Sequence, residues 1–210
     1  MPNWCSNHIT VRGGQQSEIQ RLADAFSNGG LCQAVVPCPA ELFAPTSSFL
    51  GDPVEQAALE AKTCFPYREK YGYSTWYDFN VSKWGTKWDV TCDSVEIDSD
   101  GLGFSGAFDS AWSPPIGVCE ALVEQGFEVT LYYYESGMGF VGKWEDGEDD
   151  CYEYGGEKSD TVRAAIGDEL DDMFGISESM AEYEAENEEE LEELTTWIKD
   201  GADKLKLETL

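Results

Sequence analysis

The chain has 210 residues, with 42 acidic side chains against 13 basic ones and a net charge of −29. That length holds one domain, or one domain with an appendage, and 41% hydrophobic residues including 7 Trp, 10 Tyr and 10 Phe supply a core, which excludes global disorder. No stretch nears the roughly 18 apolar residues of a membrane span, and Met1–Val11 lacks the basic start and apolar run of a secretory signal, so a cytoplasmic protein with no membrane partner is expected.

The predicted elements follow in chain order. Cys5–Val11 alternates towards Ile9 and Val11 and stops at Gly13-Gly14, which predicts a strand. Ser17 is the expected N-cap of a helix near 17–28 with Ile19, Leu22, Ala23 and Phe26 on one face, ended by Gly29-Gly30. Residues 31–53 hold Pro37, Pro39, Pro45 and Pro53 and read as an irregular connection. A short helix is expected over 54–64 after Pro53, then an aromatic segment from Tyr71 to Trp88. Strand character is predicted within 86–97, a turn at Asp98–Gly101, and a returning strand over 102–110. Ser113 is positioned to cap a helix over 114–125 with Pro114 in its first turn and Val118, Ala121 and Leu122 inward. A strong strand over 127–135 and a turn at Gly137–Gly139 lead into a last one over 140–144.

With an insertion at about 31–85 set aside, this order is β-α-β-β-α-β plus a hairpin strand. The expected fold class is α+β, ferredoxin-like, with both helices on one face of an antiparallel sheet. That domain is predicted over 1–144. Beyond it, 145–210 forms an acidic, mostly helical extension with 24 acids and 5 bases. Asp146–Asp150 is expected to be a loop. A helix over 160–174 would turn Val162, Ile166, Leu170 and Met173 or Phe174 inward, and a second over 177–199 repeats Met180, Tyr183, Leu191, Leu194 and Ile198 at helical spacing. Such a stripe is expected to dock on the chain's own core, the alternative being pairing with another helix and so a homo-oligomer through 177–199.

Seven scattered cysteines without C-x-x-C pairs fit reduced thiols packed as small apolar residues. With His8 as the sole histidine, no zinc or other metal site and no cofactor is expected. Walker, dinucleotide, nucleophile-elbow and H-E-x-x-H signatures are absent from the sequence. Cys5 and His8 lie on opposite faces of one strand, which argues against a nucleophile–base pair. Asn3, Trp4 and Asn7 are expected to brace the first strand, and Asp98–Gly101 lacks the later ligands of a calcium loop.

Four segments, Met1-Pro-Asn-Trp-Cys-Ser-Asn7, Lys83-Trp-Gly-Thr-Lys-Trp-Asp89, Ala111-Trp-Ser-Pro-Pro115 and Tyr134-Glu-Ser-Gly137 with Phe140, resemble the YubB-like (Api-like) family of bacteriophages and conjugative plasmids. The resemblance covers residues 1–144, implies a ferredoxin-like fold and a mobile-element protein working inside a bacterium, and brings no catalytic residues.

Two functions of different class follow. The first is a non-enzymatic binding protein that inhibits a host restriction or CRISPR nuclease by DNA mimicry, since an acidic field repels nucleic acid and attracts the basic proteins that bind it. Direct nucleic-acid binding is not expected. Glu182, Glu186, Glu189, Glu190 and Glu193 are the candidate partner-binding residues, forming a carboxylate ridge at helical spacing. The second is a small enzyme with a pocket around Trp84, Lys87, Trp88, Asp89 and Trp112, against which stands a plain Lys87–Asp89 ion pair. A housekeeping or assembly protein with incidental acidity is the third.

Overall fold

The computed structural model describes residues 3–44 and 52–207. The chain divides into two compact units, Met1–Cys151 and Tyr152–Leu210.

The first unit is built on β1 (Trp4–Arg12), which alternates strictly between buried and open sides. Cys5, Asn7, Ile9 and Val11 point into the core, and Trp4, Ser6, His8 and Thr10 point away from it. After β1 come α1 (Gln16–Ser27), α2 (Leu31–Val35), a 3-10 turn at Ala40–Phe43, α3 (Pro53–Tyr71) and α4 (Trp76–Lys83). They are followed by β2 (Glu96–Ile97), β3 (Gly103–Ala111), α5 (Ile116–Glu124), β4 (Glu128–Glu135), β5 (Phe140–Glu145) and β6 (Glu148–Glu153). The strands form one six-stranded sheet in the order β2-β3-β1-β4-β5-β6. Its register pairs Ile9 with Gly106 on one side and with Leu131 on the other, both antiparallel. Buried residues of α1 (Ile19, Leu22, Phe26) and α5 (Val118, Cys119, Leu122) share one apolar cluster with Ile9, Phe104 and Leu131. The protein is thus α+β with an open antiparallel sheet.

Several expectations change on contact with this architecture. Helix α1 begins one residue earlier than Ser17: Gln15 is its N-cap, and Glu18 reaches back to the Gln15 amide at 2.9 Å. The expected irregular connection contains α2 and the 3-10 turn, and its remainder over 45–51 lies outside the described residues. Helix α3 runs well past the expected end at Cys64, with Asp52 capping it and Pro66 carried inside. The expected strand over 86–97 is only Glu96–Ile97, because the residues before it are occupied by side-chain and backbone bonds to other elements. Helix α5 starts at Ile116, and Ser113 does not cap it; the Ser113 hydroxyl donates to the Gly85 carbonyl instead. The polar run expected to be a loop after Glu145 is β6, exposed along its length. An exposed edge strand needs only backbone partners on one side, and the Tyr133 hydroxyl, from β4, fixes it further by donating to Asp149 at 2.6 Å. Burial raises the Tyr133 phenol and its Asp149 partner raises it further, so this donor stays protonated.

The second unit consists of α6 (Ser159–Ile166), α7 (Asp168–Phe174) and α8 (Ile176–Leu207). One helix over 160–174 was expected, but Gly167 splits it with φ 88° and ψ 159°, a conformation only glycine takes readily. Val162, Ile166, Leu170 and Ile176 are buried, and the Ser159 amide donates to Glu184 at 3.0 Å. Asp171, 2% exposed, accepts from the Ser177 amide and hydroxyl and from Arg163 at 2.6–2.8 Å. The apolar stripe of α8, expected to be covered, is mostly exposed. Met180 is half-buried, but Tyr183, Leu191, Leu194 and Ile198 stand exposed, as does Trp197. Ser159 of α6 reaches α8 at Glu184, and Leu191, Leu194 and Ile198 lie further along the helix.

Candidate functional site

Two places in the molecule carry chemistry beyond packing. The first lies at one end of the first unit, where the four unusual sequence segments converge. Trp112 N–H donates to the Asn3 carbonyl at 2.9 Å, joining the first segment to the third. Thr86 bridges the second and third, its hydroxyl donating to the Ala111 carbonyl at 3.0 Å and accepting from the Ala111 amide at 3.1 Å. Gly117 sits so close to the Lys83 carbonyl that a β-carbon there would collide with backbone. The fourth segment folds back through Glu135, a carboxylate 2% exposed that accepts from the Gly137 and Met138 amides at 2.9 and 2.6 Å. Asn7 braces β1 as expected, its amide donating to the Cys5 carbonyl at 2.6 Å and to Ser110 at 2.9 Å.

Of the residues named for the alternative enzyme pocket, the structure brings only some together. Trp84 is buried, with its indole N–H on the Val36 carbonyl at 2.8 Å. Asp89 is not paired with Lys87. Its carboxylate accepts from the Cys32 and Gln33 amides at 2.8 and 2.9 Å, supplying the acceptors that the first turn of α2 lacks. What remains together is Lys87, Trp88 and Trp112, joined by Trp4 and Tyr77, which sequence reasoning did not link to them. The Lys87 ammonium lies 4.5 Å from the Trp88 ring centre, 5.0 Å from that of Trp112 and 5.9 Å from that of Tyr77. Among the described residues it has no carboxylate at ion-pair distance. Trp4 leans on Trp88 with centroids 6.0 Å apart.

Trp112 holds this position with φ 72°, a region that bulky side chains seldom occupy and that is maintained only where the surroundings over-determine it. Beside Trp4 opens a cleft of about 610 Å³, lined by Ser6, Thr91, Asp93, Ser94 and Asp109 among others. It lies where β2, two residues long, has ended, so that the outer edge of β3 at Ala107–Asp109 has no strand beside it among the described residues. Cys5 and His8 point to opposite sides of the sheet, and His8 Nδ1 has no hydrogen-bond partner among the described residues. Nothing orients that imidazole as a base towards the thiol. Burial raises the Cys5 thiol to about 12 and Cys38 to about 11. Together with Cys32, Cys92 and Cys119 these are core residues. Asp98 and Asp100, in the turn that resembles the start of a calcium loop, are both paired with Arg12.

The second place is α8. Glu182, Glu186, Glu189, Glu190 and Glu193 are all exposed along it, while Glu184 is half-buried against Ser159. One side of the helix presents Asn187, Glu190, Leu191, Glu193, Leu194 and Trp197 together. Among the described residues no helix is long and apolar enough to cross a membrane.

No family model matches the chain, and no curated protein does either. Among solved structures, the crystal structure of a protein Api92 from Yersinia pseudotuberculosis, of the family model DUF1281, is similar at 13% identity and a TM-score of 0.35. The match covers 75% of this chain and 99% of that one.

Proposed function

We propose that this protein is a non-catalytic binding protein whose helix α8 occupies the DNA-contacting surface of a basic bacterial protein. One observation carries the reading: the glutamates of α8 are presented to solvent along a continuous helix, and few of them are used internally. Nine glutamates fall between positions 178 and 193, which at 1.5 Å per residue is about one charge per 2.7 Å of axis. Duplex DNA carries one per ~1.7 Å and a single strand one per ~3.4 Å, so the helix counted on all its faces falls between them, and the five-residue ridge alone, at about one per 3.6 Å, is close to the single strand. A protein surface built to release counterions from phosphates meets a comparable charge density here. The exposed Leu191, Leu194 and Trp197 beside the ridge add apolar contact that DNA does not offer, which favours a protein partner.

The resemblance of the four segments to the YubB-like family supports a phage- or plasmid-borne protein, and a restriction or CRISPR nuclease of the host is then the target. We read the β2-β3-β1-β4 order with α1 and α5 as a ferredoxin-like core extended by β5 and β6. The test is capture of partners from a bacterial lysate at low salt, with the wild-type chain and with Glu182, Glu186, Glu189 and Glu193 all changed to Lys. The reading requires a DNA-binding partner that salt elutes, that duplex DNA displaces, and that the reversed chain fails to hold. A partner held equally by both chains, or indifferent to DNA, rejects it.

A further inference from the structure

We propose that the Trp4–Trp88–Trp112 platform and the cleft beside Trp4 bind an uncharged oligosaccharide. The platform is built rather than incidental. Three indoles 39–50% exposed are gathered at one place, and a contiguous exposed aromatic patch of this kind marks an interaction site. The two segments carrying Trp88 and Trp112 are locked by the Thr86 bridge and by backbone contact at Gly117, and Trp112 is held at positive φ to present its ring.

The class of ligand follows from the polar groups around the rings. At one end Lys87 offers an ammonium, which only donates; at the other Asp93 and Asp109 offer carboxylates, which only accept. A phosphate would satisfy the first and be repelled by the second as well as by the net charge of −29. A guanidinium or ammonium would satisfy the carboxylates and be repelled by Lys87. Hydroxyl groups donate and accept, so a ring bearing several of them satisfies both ends without a charge penalty. The polarised C–H face of such a ring is attracted to the negative face of an indole, as ring edges are in aromatic pairs. The cleft's volume of about 610 Å³ lies within the range of small-ligand sites. The Lys87–Trp88 and Trp88–Trp4 steps of 4.5 and 6.0 Å precede the cleft, so the full site is longer than one sugar ring.

The experiment is a titration of the full chain with neutral trisaccharides built from glucose, galactose, mannose and N-acetylglucosamine, followed by tryptophan fluorescence and calorimetry. At least one should saturate below about 10 mM, which corresponds to a Kd of about 1 mM or tighter. Trp88→Ala and Asp109→Asn should each weaken that sugar at least tenfold. Trp112→Gly, which suits the positive φ, should abolish binding while leaving the melting temperature in place. The four-glutamate reversal of α8 should leave it unchanged, which separates this site from the α8 reading. Failure of every trisaccharide to saturate overturns the proposal, as does displacement of a bound sugar by oligothymidylate or oligolysine, which would assign the site to an anion or a cation.

Discussion

At the scale of single residues, the side chains that looked most like chemistry turn out to be spent on the fold, and the consequences are measurable. Asp89 supplies acceptors to the first turn of α2, so Asp89→Ala should cost about 1–2 kcal/mol in urea unfolding, the range of a lost N-terminal cap. Lys87→Met should change stability much less; equal losses for the two variants would restore the ion pair that the sequence suggested. Asp171 makes a sharper case. Burial pushes its carboxyl up, but the Ser177 hydroxyl and amide and the Arg163 guanidinium outweigh that and hold it below the ordinary carboxylate value. A depressed folded-state pKa contributes stability that is fully present above the unfolded value of about 3.9 and is lost as pH falls through the folded one. Asp171→Ala should therefore destabilise α6–α8 by about 1–3 kcal/mol at pH 7, because it strands a buried amide and hydroxyl. The difference from wild type should shrink as pH falls from about 4 through the depressed folded-state value, below which the carboxyl is protonated in both states. A deficit that stays constant down to pH 2 would show that the carboxylate's charge is not what matters.

At the scale of elements, two features depend on backbone and on charge rather than on side-chain contact. The break between α6 and α7 rests on Gly167, whose β-carbon position is open, so Gly167→Ala meets no neighbour and costs only backbone strain. Strain of that kind is of order 1–3 kcal/mol, and its measure is the loss of helical signal from this unit on heating. Helix α8 is limited differently. Glu182/Glu186, Glu186/Glu190, Glu188/Glu192 and Glu189/Glu193 are like charges four apart, each costing about 0.2–0.5 kcal/mol. Added salt screens exposed pairs of this kind. Amide exchange over 186–199 should accordingly slow between low and high salt while that of α6 stays fixed. Equal protection of α8 at both salt concentrations would mean that its glutamates do not repel one another appreciably, and the relief expected on meeting a basic partner would vanish with them.

At the scale of the whole molecule, the two candidate surfaces belong to different units and obey different physics. The α8 ridge acts through long-range attraction, so its association rate should fall steeply with ionic strength. The tryptophan platform acts through contact and should be nearly indifferent to salt. The thiols report on the integrity of the first unit. Cys5, Cys32, Cys38, Cys92 and Cys119 are buried, and burial holds Cys5 near 12 and Cys38 near 11. These five should resist a thiol reagent at pH 7.5 until the unit unfolds, whereas the exposed Cys151 should react at once. Rapid native-state modification of five or more thiols would mean that the core opens on the labelling timescale.

The sequence by itself determined what periodicity and punctuation encode. The alternation of Cys5–Val11 placed β1, the Ile19–Leu22–Phe26 stripe placed α1, and Gly126 and Gly137–Gly139 bounded β4 and its hairpin, because each signal is local and its residues face one apolar side. The glutamate ridge was equally legible, since helical spacing alone aligns it. Only the tertiary structure decided the rest. Asp89 finds its amides on a helix 56–57 residues away, and nothing near it announces that partner. Trp4 meets Trp88 across 84 positions, and no local pattern could have joined them. The polar run at Glu148–Glu153 reads as a loop until a neighbouring strand offers it an edge. The stripe of α8 reads as a buried face, yet Tyr183, Leu191, Leu194 and Ile198 stand exposed. In each case the deciding term is a non-local hydrogen bond or burial, and a single chain written in order carries no record of either.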